Sequence, residues 1–138
     1  MDDVEAIRQL KARYFRLMDT KQWDAWRQCF TEDAVLQTLP NPEEKFVGRD
    51  EIVSRVSELL ADSVTVHHGH MPEIEITGPD TATGIWAMYD QVDMPALTLR
   101  GFGHYHDDYA KQEGGWRIRH SRLTRLQLDI ERNDAPST

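Results

Sequence analysis

Apolar side chains at Val4, Ile7, Leu10, Tyr14, Leu17 and Met18 recur every three or four residues, the spacing of one helical face. Trp23, Trp26 and Phe30 keep that spacing and predict a short second helix. AVLQTL (34–39) predicts a strand, and the PNPEEK that follows is turn-rich. Asp50 opens a third helix, whose stripe is Ile52, Val53, Val56, Leu59 and Leu60. From Thr65 the period drops to two. HHGHMPEIEIT (67–77), TATGIWAMYDQV (81–92), LTLRGFGHYHDDYA (97–110) and WRIRHSRLTRLQLDI (116–130) read as four strands. GPD (78–80) and QEGG (112–115) are tight turns between them, and residues 93–96 make a looser connection. The pattern predicts one domain over 1–130 and a frayed tail over 131–138. Helices followed by an antiparallel meander imply an α+β fold with the helices on one sheet face. A sheet curled around them forms a cone whose mouth can hold a small molecule.

Composition narrows the class. With 138 residues, 39% hydrophobic and 29% charged, the chain has the makeup of a globular domain. Its 16 basic against 24 acidic residues give a formal charge of −8, which argues against nucleic acid and membrane partners. The opening MDDVEAIRQL lacks a leader-like apolar core, so a cytoplasmic location is expected. Cys29 is the single cysteine, which leaves no disulfide framework and no cysteine-based metal cluster.

Against that pattern a few polar residues stand out. Alternation puts Asp90 on the same strand face as Ala82, Gly84, Trp86, Met88 and Val92. A carboxylate there needs a partner or a proton, unless alternation lapses at the strand end. His67 opens the HHGH cluster, and imidazole suits proton transfer near neutral pH. Strict parity would set His67 opposite Ile74 and Ile76, but Gly69 and Pro72 mark a site for a bulge between them. His68, His70 and Glu75, with His104 and His106, have the spacing of a weak metal motif. Asp19 begins a capping-box pattern, Asp19-Thr20-Lys21-Gln22, yet also lies past a helix C-terminus, where a cationic neighbour would steady it. Tyr14 is on the inward stripe of the first helix, as a core residue or a donor. Gathered at one cavity, Tyr14, Asp19, His67 and Asp90 supply an oriented base, a phenol and a second carboxylate. That set suits proton abstraction followed by elimination or isomerisation.

YFRLMDTKQWD, HHGHMPEIEI, TATGIWAMYDQ and GGWRI resemble the SnoaL-like group of the nuclear transport factor 2-like superfamily, from about Ile7 to the last strand. Within it the chain most resembles the bile acid 7α-dehydratases, more distantly scytalone dehydratase and hexachlorocyclohexane dehydrochlorinase. The resemblance implies a cone-shaped, cystatin-like α+β fold with N-terminal helices packed in a strongly curved, mostly antiparallel sheet. It sets the catalytic tyrosine, aspartate, histidine and second aspartate on Tyr14, Asp19, His67 and Asp90. It implies a dehydratase that needs no metal or other cofactor and acts on a small apolar hydroxylated ligand, steroid-like or polycyclic. A ketosteroid-type isomerase and a non-catalytic accessory subunit are the alternatives. The chain departs from scytalone dehydratase at Met18 and Val92, where that enzyme has tyrosine and histidine. Met18, Trp86, Met88, His104 and His120 are the expected substrate-pocket residues. The resemblance also implies a homotrimer through the convex sheet face, although Arg117, Arg119, Ser121 and Arg125, alternating with apolar residues, predict a solvated face there.

Overall fold

Asp2 starts the first helix: its carboxylate accepts from the Glu5 backbone N–H at 2.8 Å, satisfying a donor that has no intrahelical partner. In the computed structural model, which describes residues 1–133, this helix, α1, spans Asp3–Asp19. The predicted stripe is buried from Ile7 onward, and Lys11 and Phe15 are buried beside it. The helix ends in a Schellman motif. Gln22 N–H bonds Leu17 C=O, Lys21 N–H bonds Met18 C=O, and Lys21 takes the left-handed conformation (φ 57°) usually left to glycine.

Helix α2 (Trp23–Arg27) is shorter than the spacing predicts, because Phe30 opens strand β1 (Phe30–Gln37) instead. Periodicity could not separate the two roles, since Trp26 and Phe30 pack edge to face at 4.8 Å in one core. A two-residue strand, β2 (Phe46–Val47), emerges from the turn-rich stretch and pairs with β1. Gly48, at φ 93°, supplies the turn into α3 (Arg49–Leu59), so Asp50 lies in the helix's first turn rather than before it.

Four long strands follow: β3 (Val64–Ile76), β4 (Thr81–Asp93), β5 (Leu97–Gln112) and β6 (Gly115–Arg132). The single sheet runs β2-β1-β6-β5-β4-β3, antiparallel except for the β1–β6 pair. The helices pack in its concave face, giving the expected α+β cone. Glu131 and Arg132, expected in the tail, pair with Thr98 and Leu97 inside the sheet; residues 134–138 of that tail lie outside the described residues. Among the described residues no helix is long and apolar enough to cross a membrane.

Bulges decide which side chains enter the cone. On β3 the register shifts between Gly69 and Pro72, as the glycine and proline predict. His67 therefore shares the inward face with Ile74, against strict parity. On β6 two further shifts add a residue near Arg119 and another near Leu126. Each extra residue reverses the alternation. Ser121 and Arg125, predicted to be solvated, consequently turn inward, and Ser121 has no exposure at all.

Candidate active site

The site begins where α1 ends against β3. Asp19 does not cap α2, whose first turn has no side-chain cap. Instead its Oδ2 accepts from the His67 backbone N–H at 2.8 Å, while Oδ1 accepts from Thr65 Oγ1 at 2.9 Å and meets His67 Nδ1 at 2.7 Å. Three donors offset the unfavourable position of a carboxylate at a helix C-terminus. A carboxylate only accepts, so Nδ1 carries the proton and the neutral ring leaves Nε2 bare. The His67 side chain is about nine-tenths buried and contributes to the cavity wall.

Asp90 stands directly across the β3–β4 ladder from His67. The alternation on β4 holds, and Asp90 is buried at 4% exposure. Its partner is Arg125, which donates through Nη1 at 2.7 Å and Nη2 at 2.9 Å. The fork geometry engages both carboxylate oxygens. Gly101, the β5 neighbour of Asp90, makes room for the pair. A Cβ there would lie 1.9 Å from Arg125 Nη1 and 2.9 Å from Asp90 Oδ1. The sequence offered no sign of Arg125, because only the two bulges on β6 bring it inside.

His67, Asp90 and Arg125 line one cavity of about 240 Å³. Its wall is chiefly apolar, with Met18, Leu36, Phe46, Val56, Leu60, Val92, Leu99 and Leu123 among its residues. Tyr14, His67, Asp90, Tyr105 and Arg125 are the polar groups set into it, with Thr38 near the β1–β2 turn. Tyr14 and Tyr105 meet edge to face at 6.2 Å. Burial pushes the acidity of both phenols well below normal, and nearby carboxylates add to the effect, so both remain protonated donors. Among the described residues neither hydroxyl has a protein hydrogen-bond partner.

Three of the four sequence-derived catalytic candidates, Tyr14, His67 and Asp90, thus line this cavity, as does Met18; Asp19 is not in the wall and reaches it only through His67. Four expected pocket residues do not. Trp86 and Met88 are on the concave face but lie outside the cavity lining; Trp86 is bonded to Tyr109 and lies close to Phe15. His104 is on the opposite face, bonded by its backbone to Thr124, and its neighbour Tyr105 takes the inward position. His120 is turned away by the first β6 bulge and bonds Gln37. Strand parity alone would have selected Tyr105 over His104. Among the described residues no three His, Cys, Asp or Glu side chains gather at a spacing that holds a metal ion. The buried Cys29 thiol is pushed up to about 11 by desolvation, which removes it as a nucleophile near neutral pH.

Solved structures share this architecture. Rv3472 of Mycobacterium tuberculosis, a protein of unknown function, is 28% identical with a TM-score of 0.77, over 88% of this chain and 70% of its own. A scytalone dehydratase-like protein from Novosphingobium aromaticivorans matches 96% of this chain and 89% of its own at 19% identity and TM-score 0.81. The hexachlorocyclohexane dehydrochlorinase of Novosphingobium barchaimii matches 92% and 88% at 15% identity and TM-score 0.79. The last two are likenesses of fold. The SnoaL-like domain matches residues 1–122, and the chain belongs to that family, within the nuclear transport factor 2-like superfamily.

Proposed function

We propose that this protein is a cofactor-independent carbon–oxygen lyase that removes water from an apolar, hydroxylated ring compound bearing a carbonyl. The observation that carries the reading is His67: Nδ1 tied to Asp19 at 2.7 Å, leaving Nε2 as the basic nitrogen of a ring that walls an apolar cavity. A proton beside a carbonyl is acidic enough for an imidazole to remove. Asp19 fixes the tautomer and steadies the imidazolium that forms. Tyr14 donates to the oxygen that gathers negative charge, and His67 returns its proton to the departing hydroxyl. Asp90 is engaged on both oxygens by Arg125, which suits a fixed electrostatic role in the wall better than a proton carrier. The chiefly apolar wall favours the steroid-like and polycyclic compounds that family resemblance suggests.

Incubation with a panel of β-hydroxy ring ketones, read by mass spectrometry, tests the proposal. Loss of one water is expected, with His67→Ala slowing turnover roughly 10²–10⁴-fold while circular dichroism stays unchanged. A product of unchanged mass and shifted double bond would convert the assignment to an isomerase using the same base. Turnover that survives in His67→Ala removes the mechanism.

Assembly into a trimer through the convex face belongs to the same reading. Arg125 and Ser121 turn away from that face, while Arg119 and Arg122 are exposed, as are Ile85 and Phe102. Light scattering at the protomer mass would count against it.

A further inference from the structure

Behind the cavity's two phenols lies a charged pair that the proposed chemistry leaves unused. Lys11 and the Asp107 side chain both have zero exposure, and Lys11 Nζ is 2.8 Å from Asp107 Oδ2. The same ammonium lies 4.3 Å from the ring centroid of Tyr14 and 4.0 Å from that of Tyr105. A cation over an aromatic face is drawn to the ring's negative quadrupole. Asp107 is fixed in turn: it accepts from Tyr109 at 2.8 Å, and the Tyr109 oxygen accepts from Trp86 Nε1 at 2.9 Å. The inward tyrosines are thereby sorted. Tyr109 has its hydroxyl in the buried network and takes no part in the cavity wall. Tyr14 and Tyr105 offer Lys11 their rings, form part of that wall, and have no protein partner for their hydroxyls among the described residues. Stability alone is a weak reason for such a pair, since replacing a buried ion pair by neutral groups of similar size is often harmless.

We propose that Lys11, held by Asp107, is a positioning residue that clamps Tyr14 and Tyr105 toward the cavity and strengthens both as donors to a ligand oxygen. A positive charge on the ring face draws electron density from the phenol, and in a dry site that field is little screened. The inference rests on the reading of the cavity as a site for carbonyl-bearing ring compounds.

Two probes test it without any turnover: a solvatochromic naphthyl ketone and the matching naphthalene hydrocarbon. Lys11→Met/Asp107→Asn removes both charges together and leaves Tyr109 an acceptor. The ketone is expected to bind about tenfold more weakly to this variant and to emit further to the blue, while the hydrocarbon binds as before. In a Tyr14→Phe/Tyr105→Phe background the same exchange should change neither reading. Unchanged ketone affinity and emission would overturn the inference, as would equal losses for both probes, the mark of a merely structural role. Lys11→Gln, which keeps a donor for Asp107 without the charge, gives the same readings should the pair variant not fold. A wild-type protein that binds neither probe overturns the cavity reading and this inference with it. Ketone binding indifferent to Lys11 removes this inference alone.

Discussion

Replacing Gly101 by alanine tests how the Asp90–Arg125 pair is seated. The new methyl would start 1.9 Å from Arg125 Nη1, well inside contact distance, so the guanidinium has to leave. Arg125 is the part that can move, since its far end is flexible and Asp90 is fixed on a central strand. Its departure breaks two charge-assisted hydrogen bonds and leaves a carboxylate of 4% exposure without its cation. Hydrogen bonds to charged groups contribute about 1.5–3 kcal/mol, and stranding a buried charge costs about 3–5 kcal/mol. Alanine recovers about 0.4–1 kcal/mol by restricting the unfolded chain. The expected net loss is therefore about 2–4 kcal/mol, a fall of roughly 1–2 M in the urea midpoint. The control is the same substitution in an Asp90→Ala/Arg125→Ala background, where both side chains that crowd the new methyl are cut back. There it should cost under about 0.5 kcal/mol. An equal cost in both backgrounds would show that the penalty comes from the backbone and not from the ion pair.

Two further outcomes follow from the structure. Lys21 holds a positive φ, so Lys21→Val should be less stable than Lys21→Gly by about 1–2 kcal/mol, although both lose the side-chain bond to Ser63; equal urea midpoints would contradict the left-handed cap. Stability should also decline as pH rises from about 9 toward 11. The Cys29 thiol has a native value of about 11 against an ordinary 9.0, so the unfolded chain releases its proton first and binds fewer protons in that window. Burial of Tyr14, Tyr105 and Tyr109 acts in the same direction. Cys29→Ala should flatten the decline, and a midpoint that rises with pH would show the sign to be wrong.

What the sequence reveals and conceals follows from how each residue is placed. Asp90 was legible because β4 has no bulge, so alternation carries unbroken from Ala82 to Val92. The β3 bulge was legible because glycine and proline announce it. The β6 bulges were not, since Arg119 and Leu126 carry no such mark, and a one-residue slip moves a side chain to the other face. That single failure hid Arg125 and placed His120 in the pocket. Asp19 shows a different limit. Its local pattern satisfies a capping box, yet three donors from β3, at residues 65 and 67, outcompete the nearby backbone. Lys11 was concealed because its partners, Asp107 and Tyr105, lie almost a hundred residues away and its own position reads as the polar edge of a helix.

The central claim is that His67 takes a proton from carbon inside the cavity. The most direct measurement is deuterium wash-in from D₂O at the α-carbon of a ring ketone too simple to eliminate water, followed by NMR. The wild-type protein is expected to incorporate deuterium above the buffer rate, with incorporation slowed roughly 10²–10⁴-fold in His67→Ala and clearly reduced in Asp19→Asn. Incorporation by His67→Ala at the wild-type rate would contradict it, as would a wild-type rate equal to buffer for a ketone shown to bind.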